Sequence, residues 1–528
     1  MLPLSFAAPY HSQRAPIFGE QAVATSSPVA AQVGLRVLEQ GGNAIDAAVA
    51  VLAALSVVEP TMNGLGGDLF ALVWDGEALH ALNASGRAPN AWSRERFAQR
   101  RSMPELGWDA VTVPGAVSGW VALNQRFGTR TLGELLAPAI GYAEEGFPVL
   151  PKMAELWAAA VTRFAEFGEF QRVFVPGGRV PRAGDWFSLP ELAASLASIA
   201  DTRGESLYRG ELARRIVAAA REAGGALTLA DLDAHQADWV APISCEFGGL
   251  RWFEPPPNGQ GLAALLTLGI LEHLPLAELG PDHPHAVHLE LEAMKLAFAD
   301  CVAFVADPTQ MRVSVEELLA RERLARLAAD ISRQGAAAPR AVPQRDHGTV
   351  YATVADREGR MVSAIQSNYL GFGSGVVVPK TGIALHNRGL GFSLDPARAN
   401  CVRGGARPYH TIMPGFAARA GRPALSFGVM GGHMQPQGHV QLAIRAALFQ
   451  QNPQTLCDAP RWYLSETSEV ALEPALARQV GPELVRLGHR LIAEPPTLLF
   501  GGAQVIAKLE RGYCAGSDPR KDGQAVAS

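Results

Sequence analysis

The chain has 528 residues, 48% of them apolar and 18% charged, a globular composition that excludes a disordered or fibrous protein. Its formal charge of −5 is spread along the sequence without long single-sign blocks. This gives no basic footprint for nucleic acid or an anionic membrane, and a small molecule is the expected partner.

Length alone permits either several domains or one large unit with insertions. From Met1 to Phe18 the only basic residue is Arg14, prolines recur, and no apolar run reaches signal-peptide length, so a cytoplasmic protein is expected. Cys245, Cys301, Cys401, Cys457 and Cys514 are far apart, odd in number and without a CxxC pair. They suggest neither a disulfide framework nor zinc, and fit a reducing compartment.

Ser27-Pro28 followed by an apolar-rich run to Gln40 and Gly41-Gly42 predicts a helix with an N-cap, proline in its first turn and a glycine stop. The stretch Ala44 to Val57 is apolar all round, which predicts a second helix buried between other layers. Asn63-Gly64-Leu65-Gly66-Gly67-Asp68 is a glycine loop feeding a strand, Leu69 to Trp74, that turns at Asp75-Gly76. Helical periods dominate from about 130 to 340, including Leu189 to Ala200, Leu212 to Ala223 and His285 to Val305, the last capped around Asp282-His283-Pro284. Gln334 to Gly348 is polar and broken by proline, and reads as an exposed connector.

After the connector the period changes to two. Thr349 to Ala355 and Met361 to Asn368, joined by Asp356 to Arg360, predict a hairpin. Further strands are expected at Val376 to Val378, Gly382 to Leu385, Thr411 to Ala417 and Ala424 to Val429. The last ends in Gly431-Gly432 ahead of a helix from about Gln437 to Gln450.

A connector that ends on a threonine opening a strand is what an N-terminal nucleophile requires. Before cleavage Thr349 has only an amide nitrogen, which cannot take up a proton. Cleavage between Gly348 and Thr349 frees an amine with a reference pKa of about 7.7 to 8.0 beside the hydroxyl, and this amine serves as general base. By itself a threonine at a strand start also has a plain explanation in β-propensity.

Several strings occur in an order that resembles the γ-glutamyltransferase family across almost the whole chain. They are Gly41-Gly42-Asn43-Ala44-Ile45-Asp46-Ala47-Ala48, Asn63 to Asp68, Ser85-Gly86-Arg87-Ala88-Pro89, Val113-Pro114-Gly115-Ala116, Phe372-Gly373-Ser374-Gly375, Gly431-Gly432 and Ser517-Asp518-Pro519-Arg520. The resemblance implies an α+β fold of four layers, αββα, with two stacked antiparallel sheets between helical layers. It implies an autoprocessed amide hydrolase or acyltransferase working through an acyl-enzyme, with residues 1–348 as the large fragment and 349–528 as the small one in a single structural unit. The two fragments would form a heterodimer, with a dimer of heterodimers as a further option, and neither a cofactor nor a metal is expected.

Carried over residue by residue, the resemblance places the nucleophile on Thr349, its orienting hydroxyl on Ser367 and the oxyanion-hole amides on Gly431 and Gly432. Glycine there lets backbone N–H groups approach a reacting carbonyl closely. Arg87 falls on the position that pairs with a substrate carboxylate. The rest of the substrate pocket departs from the family pattern: Arg388 and Gly391 stand where acceptors for an α-ammonium belong, His410 and Thr411 replace paired serines, and Tyr369, next to Asn368, replaces an asparagine. A cationic Arg388 repels an ammonium and attracts an anion. The expected acyl group is therefore either of the γ-glutamyl, glutathione type or one that carries a carboxylate without an α-amine, as in an oxamate amidohydrolase or a glutaryl or cephalosporin-type acylase. The resemblance is to the signal-less subgroup that includes such enzymes.

Asp282, His283, His285 and His288 are read as a capped helix start rather than a metal site. The sequence contains neither a Gly-x-Ser-x-Gly elbow nor a nucleotide-binding Gly-x-x-x-x-Gly-Lys-Ser/Thr loop. An uncleaved scaffold or binding protein is the non-enzyme alternative.

Overall fold

The computed structural model describes residues 13–340 and 348–528, so most of the N-terminal stretch and residues 341–347 of the connector read from the sequence lie outside the described residues. Two seven-stranded sheets form the centre. One runs Gln524–Ala527, Ala22–Thr25, Val350–Ala355, Met361–Ser367, Asp68–Trp74, Leu79–Ala84, Asp238–Val240. The other runs Ile17–Gly19, Tyr513–Ser517, Gly502–Lys508, Arg422–Met430, Gly415–Arg419, Leu250–Glu254, Ile243–Phe247. All neighbours within each sheet are antiparallel.

Alternation along one strand explains the layering, because successive side chains point to opposite faces of a sheet. Val350, Ala352 and Val354 join the core built around helix Ala44–Val58. Ala355 packs with Phe416, Ile506 and Ala515 of the facing sheet, and Thr353 Oγ1 lies 2.7 Å from Ser426 Oγ across the gap. On the far side, helices Gly261–Leu271 and Met434–Phe449 cover the second sheet through Leu425, Phe427 and Val429. The order is helix, sheet, sheet, helix, the expected αββα arrangement. Both sheets take strands from before residue 348 and after residue 349, so the two sides of that junction share one core.

Helix Ala44–Val58 is buried along its whole length, as its apolar composition requires. Its start is fixed by a capping box: Asn43 Oδ1 accepts from Ile45 N and Asp46 N at 2.9 Å, and Asp46 Oδ2 accepts from Asn43 N at 3.1 Å. Asn43 Nδ2 also donates to Phe127 O at 2.7 Å. Asn43→Ala removes the cap and leaves that carbonyl without its donor, so a loss of about 1–2 kcal/mol is expected in thermal or urea unfolding. An unchanged unfolding midpoint would mean the cap contributes nothing.

The sequence-based elements differ from the structure in the turn-rich middle. Val376 to Val378 and Gly382 to Leu385 form only isolated bridges, Val377 with Ala384 and Gly66 with Leu385. Positive φ at Phe372, Gly373, Gly375 and Gly382 curls this segment before a ladder can extend. The strand expected from Thr411 starts at Gly415 instead, because backbone groups ahead of it are taken by side chains: Gln260 Nε2 donates to Thr411 O and Met413 N donates to Gln435 Oε1. The following helix begins at Met434, three residues before the expected start.

Candidate active site

The hairpin after the connector presents Thr349 and Ser367 side by side. Thr349 leads into strand Val350–Ala355, Ser367 ends strand Met361–Ser367, and both are buried. Thr349 Oγ1 donates to Ser367 Oγ at 3.3 Å. Ser367 Oγ in turn donates to Gly348 O, the carbonyl of the Gly348–Thr349 peptide bond. It also accepts from Tyr369 N at 2.8 Å and from Arg388 Nη2 at 3.3 Å. The hydroxyl next to Thr349 therefore polarises the bond that the connector presents.

Gly348 is held where only glycine fits. Its φ is +139°, and a Cβ there would lie 2.5 Å from Tyr369 O. Tyr369 itself has φ +75°, which brings its N–H onto Ser367 and its ring beneath the Arg388 guanidinium, 4.0 Å from centroid to Cζ. A non-glycine residue in this region is uncommon and is held by its surroundings.

Arg388 opens a short 3-10 turn, Arg388–Gly391, and is fully buried. Its Nη1 donates to Thr411 Oγ1 at 2.9 Å, and its Nε lies 4.0 Å from Asp68 Oδ2. That carboxylate is the counter-charge. Asp68 pairs directly opposite Ser367 in the sheet, and its Oδ2 lies 2.9 Å from His410 Nε2 and 3.3 Å from His386 Nδ1. Its Oδ1 accepts from Gly86 N at 3.0 Å. Burial alone would raise the Asp68 carboxyl, but His386 and His410 outweigh it and hold the group well below the usual range. Burial, reinforced by the charge of Arg388, pushes His410 down to about 3, so it is neutral at pH 7.

Gly431 and Gly432 follow the end of strand Arg422–Met430 with φ of +127° and +56°. Among the described residues neither N–H has a hydrogen-bond acceptor, while Gly431 O and Gly432 O accept from Met434 N and Gln435 N at the start of the next helix. Gln260 Nε2 ties this turn to the Thr411 segment by donating to both Gly432 O, at 2.9 Å, and Thr411 O. Its Oε1 lies 2.9 Å from His433 Nδ1 and accepts from Tyr409 OH at 3.3 Å. Tyr369, Tyr409 and His433 line a cavity of about 370 Å³ whose other walls include Met103, Phe392 and Arg398.

Two sequence-predicted site residues stand apart. Arg87 is half-exposed and engaged by Asp307 at 3.2 Å, Gly405 O at 3.2 Å and Asp238 at 3.8 Å, with no hydrogen bond to the Thr349 cluster among the described residues. Asn368 is fully buried near Gly64 and Gly67, and its side-chain amide has no hydrogen-bond partner among the described residues. Sequence reading passed over Asp68, His386 and Gln260. Asp68 had a visible signal, a carboxylate at the end of a glycine loop opening an apolar strand, whereas the other two join the site only through long-range packing.

The histidines weighed as metal ligands separate. His283 caps helix Pro284–Phe304 and Asp282 pairs with Arg445 at 2.6 Å. His288 turns inward to His489, 2.8 Å away, beside Glu292. Lys295 holds Glu292 at 2.7 Å, so this buried group already carries its own cation. All five cysteines are free, and among the described residues no helix is long and apolar enough to cross a membrane.

Residues 30–528 match the gamma-glutamyltranspeptidase family. The glutathione hydrolase-like YwrD proenzyme of Bacillus subtilis is 36% identical over 517 residues, covering 96% of this chain and 98% of the relative. The oxamate amidohydrolase proenzyme of Klebsiella pneumoniae is 37% identical over 514 residues, covering 94% and 96%. Among solved structures, the cephalosporin acylase from Bacillus halodurans superposes with a TM-score of 0.95 at 44% identity, over 100% of this chain and 99% of that one. The chain belongs to the gamma-glutamyltranspeptidase family, and is an amidohydrolase or acyltransferase enzyme with the N-terminal-nucleophile hydrolase fold.

Proposed function

We propose that the chain cuts itself between Gly348 and Thr349, and that Thr349 then hydrolyses or transfers an acyl group bearing a carboxylate and no α-amine. The observation that carries this reading is the Thr349–Ser367–Arg388 chain of hydrogen bonds, which also reaches the carbonyl of Gly348.

In processing, Thr349 Oγ attacks the Gly348 carbonyl carbon, the C–N bond breaks, and the threonine nitrogen takes a proton. Water then hydrolyses the resulting ester, leaving a carboxylate on Gly348 and a free amine on Thr349. The fragments 1–348 and 349–528 stay together as a heterodimer because both contribute strands to each sheet. In turnover the amine accepts the Thr349 hydroxyl proton as the oxygen attacks the substrate amide. The N–H groups of Gly431 and Gly432 receive the oxyanion, a contribution typically worth about 100- to 1000-fold per donor. The proton passes to the leaving amine, and water or a second amine releases the acyl group.

The buried Arg388 guanidinium favours a carboxylate and opposes an ammonium. Arg87 pairs with Asp307 and Asp238 away from Thr349, whereas Arg388 is the cation bonded to Ser367, so the charge preference for the acyl group is assigned to Arg388. The cavity beside Tyr369 and His433 has room for a leaving group of drug size, which favours an acylase-type substrate over one that releases only ammonia. Free cysteines support a reducing, cytoplasmic setting.

A panel of γ-glutamyl, glutaryl and oxamate amides on processed enzyme tests the substrate reading. A higher kcat/KM is expected for glutaryl than for γ-glutamyl amides of the same amine. A preference of about tenfold for γ-glutamyl, about 1.4 kcal/mol, would restore the glutathione-type reading.

A further inference from the structure

We infer that Arg388, hydrogen-bonded to Thr411 and Ser367, is a positioning residue that keeps the newly freed α-amine of Thr349 in its neutral, proton-accepting form. This deepens the proposed function and rests on Thr349 being an N-terminal nucleophile.

An amine that is to act as general base must be unprotonated, yet an exposed α-amine with a pKa of about 7.7 to 8.0 is mostly an ammonium at neutral pH. A fixed positive charge nearby disfavours the ammonium and lowers that pKa. Arg388 is such a charge, two hydrogen-bond steps of 3.3 Å each from the Thr349 hydroxyl through Ser367. It is fully buried, so water screens it little. As a general scale, two unit charges about 7 Å apart in an effective dielectric of about 20 shift each other's pKa by more than about one unit. The charge that turns away a substrate ammonium thus also turns away the enzyme's own.

The charged and titratable groups on the surrounding elements set the sign. Asp68, at the start of its strand, lies 4.0 Å from Arg388 Nε and partly offsets it. His386 and His410 both sit on the Asp68 carboxylate, and His410 is neutral at pH 7. His433, after the glycine turn, is hydrogen-bonded to Gln260, and the Tyr369 ring stacks on Arg388. Arg388 is the cation hydrogen-bonded to the hydroxyl partner of Thr349. Hydrogen bonds from Nη1 to Thr411 and from Nη2 to Ser367 fix the guanidinium in place.

The test is the pH profile of kcat/KM, whose acidic limb reports the free enzyme's base, on enzyme whose small fragment is first shown to begin with Thr349. Arg388→Met should move the limb up by about one pH unit and Arg388→Lys should leave it near the parent. Asp68→Asn is nearly isosteric and still accepts from Gly86 N; it removes the offsetting charge and should move the limb down. Opposite shifts from Arg388→Met and Asp68→Asn are not produced by general loosening of the site. If Arg388→Met does not process, the sign of the Asp68→Asn shift decides. A limb that stays put in both, or moves the same way in both, overturns the inference while leaving Thr349 as nucleophile. An active enzyme whose small fragment starts elsewhere overturns both readings.

Discussion

Thr349→Ala is expected to give a single uncut chain with activity at background. The substitution removes the attacking oxygen, so neither the ester intermediate in processing nor the acyl-enzyme in turnover can form. Loss of a nucleophile in a comparable hydrolase costs about a million-fold in kcat. Thr349→Ser keeps the hydroxyl and should process more slowly, then turn over. A denaturing gel separates the outcomes: one band for Ala, two for the parent and, with time, for Ser. A fully processed Thr349→Ala chain would exclude Thr349 from the cleavage step. An active parent running as one band would favour an uncut enzyme, and an inactive one the scaffold alternative.

Gly348→Ala should block processing almost as firmly, although it leaves every proposed catalytic group in place. A Cβ at this position would sit 2.5 Å from Tyr369 O, and φ of +139° is closed to an alanine. The backbone must rotate, which carries the Gly348 carbonyl away from the Ser367 hydroxyl. Proximity effects make even an ångström of misplacement worth about 100-fold, so cleavage on a gel time course should slow by at least that factor. Normal processing of Gly348→Ala would show that the Ser367–Gly348 contact is not the reactive geometry.

The parts of this molecule that were legible in the sequence are those set by local pattern. Helix Ala44–Val58 announces itself by an unbroken apolar run behind Asn43, and the Thr349 hairpin by alternation on either side of Asp356 to Arg360. The four layers came from family resemblance rather than from periodicity. What stayed hidden depends on contacts distant in sequence or on unusual backbone. The Asp68–His410 contact joins residues from separate halves of the chain, and no spacing rule links them. Val376 to Val378 has strand composition, but positive φ at the neighbouring glycines bends it into a turn. The same limit applies at Gly432. Proline there looks from sequence like a clean way to delete an N–H, yet φ of +56° is incompatible with a proline ring, so it would break the turn as well. Arg87 matches a family position by its neighbours, while its guanidinium is taken up by Asp307, a partner the sequence does not reveal.

The cleavage reading also explains why Thr349, Ser367 and Gly348 are packed so tightly before any substrate is present. Burial excludes water from the peptide bond and strengthens each hydrogen bond at the junction. Val350, next to the proposed cleavage point, pairs with Gln366, and residues 352–355 pair with Ala22–Thr25, so the sheet would hold the new N-terminus in place.

N-terminal sequencing together with the intact mass of both fragments, on a preparation that is turning over substrate, tests the central claim most directly. The expected result is a small fragment that spans 349–528 and begins Thr-Val-Tyr-Ala, with a large fragment ending at Gly348. Full activity from an intact chain, or from a small fragment that starts at any other residue, would contradict it.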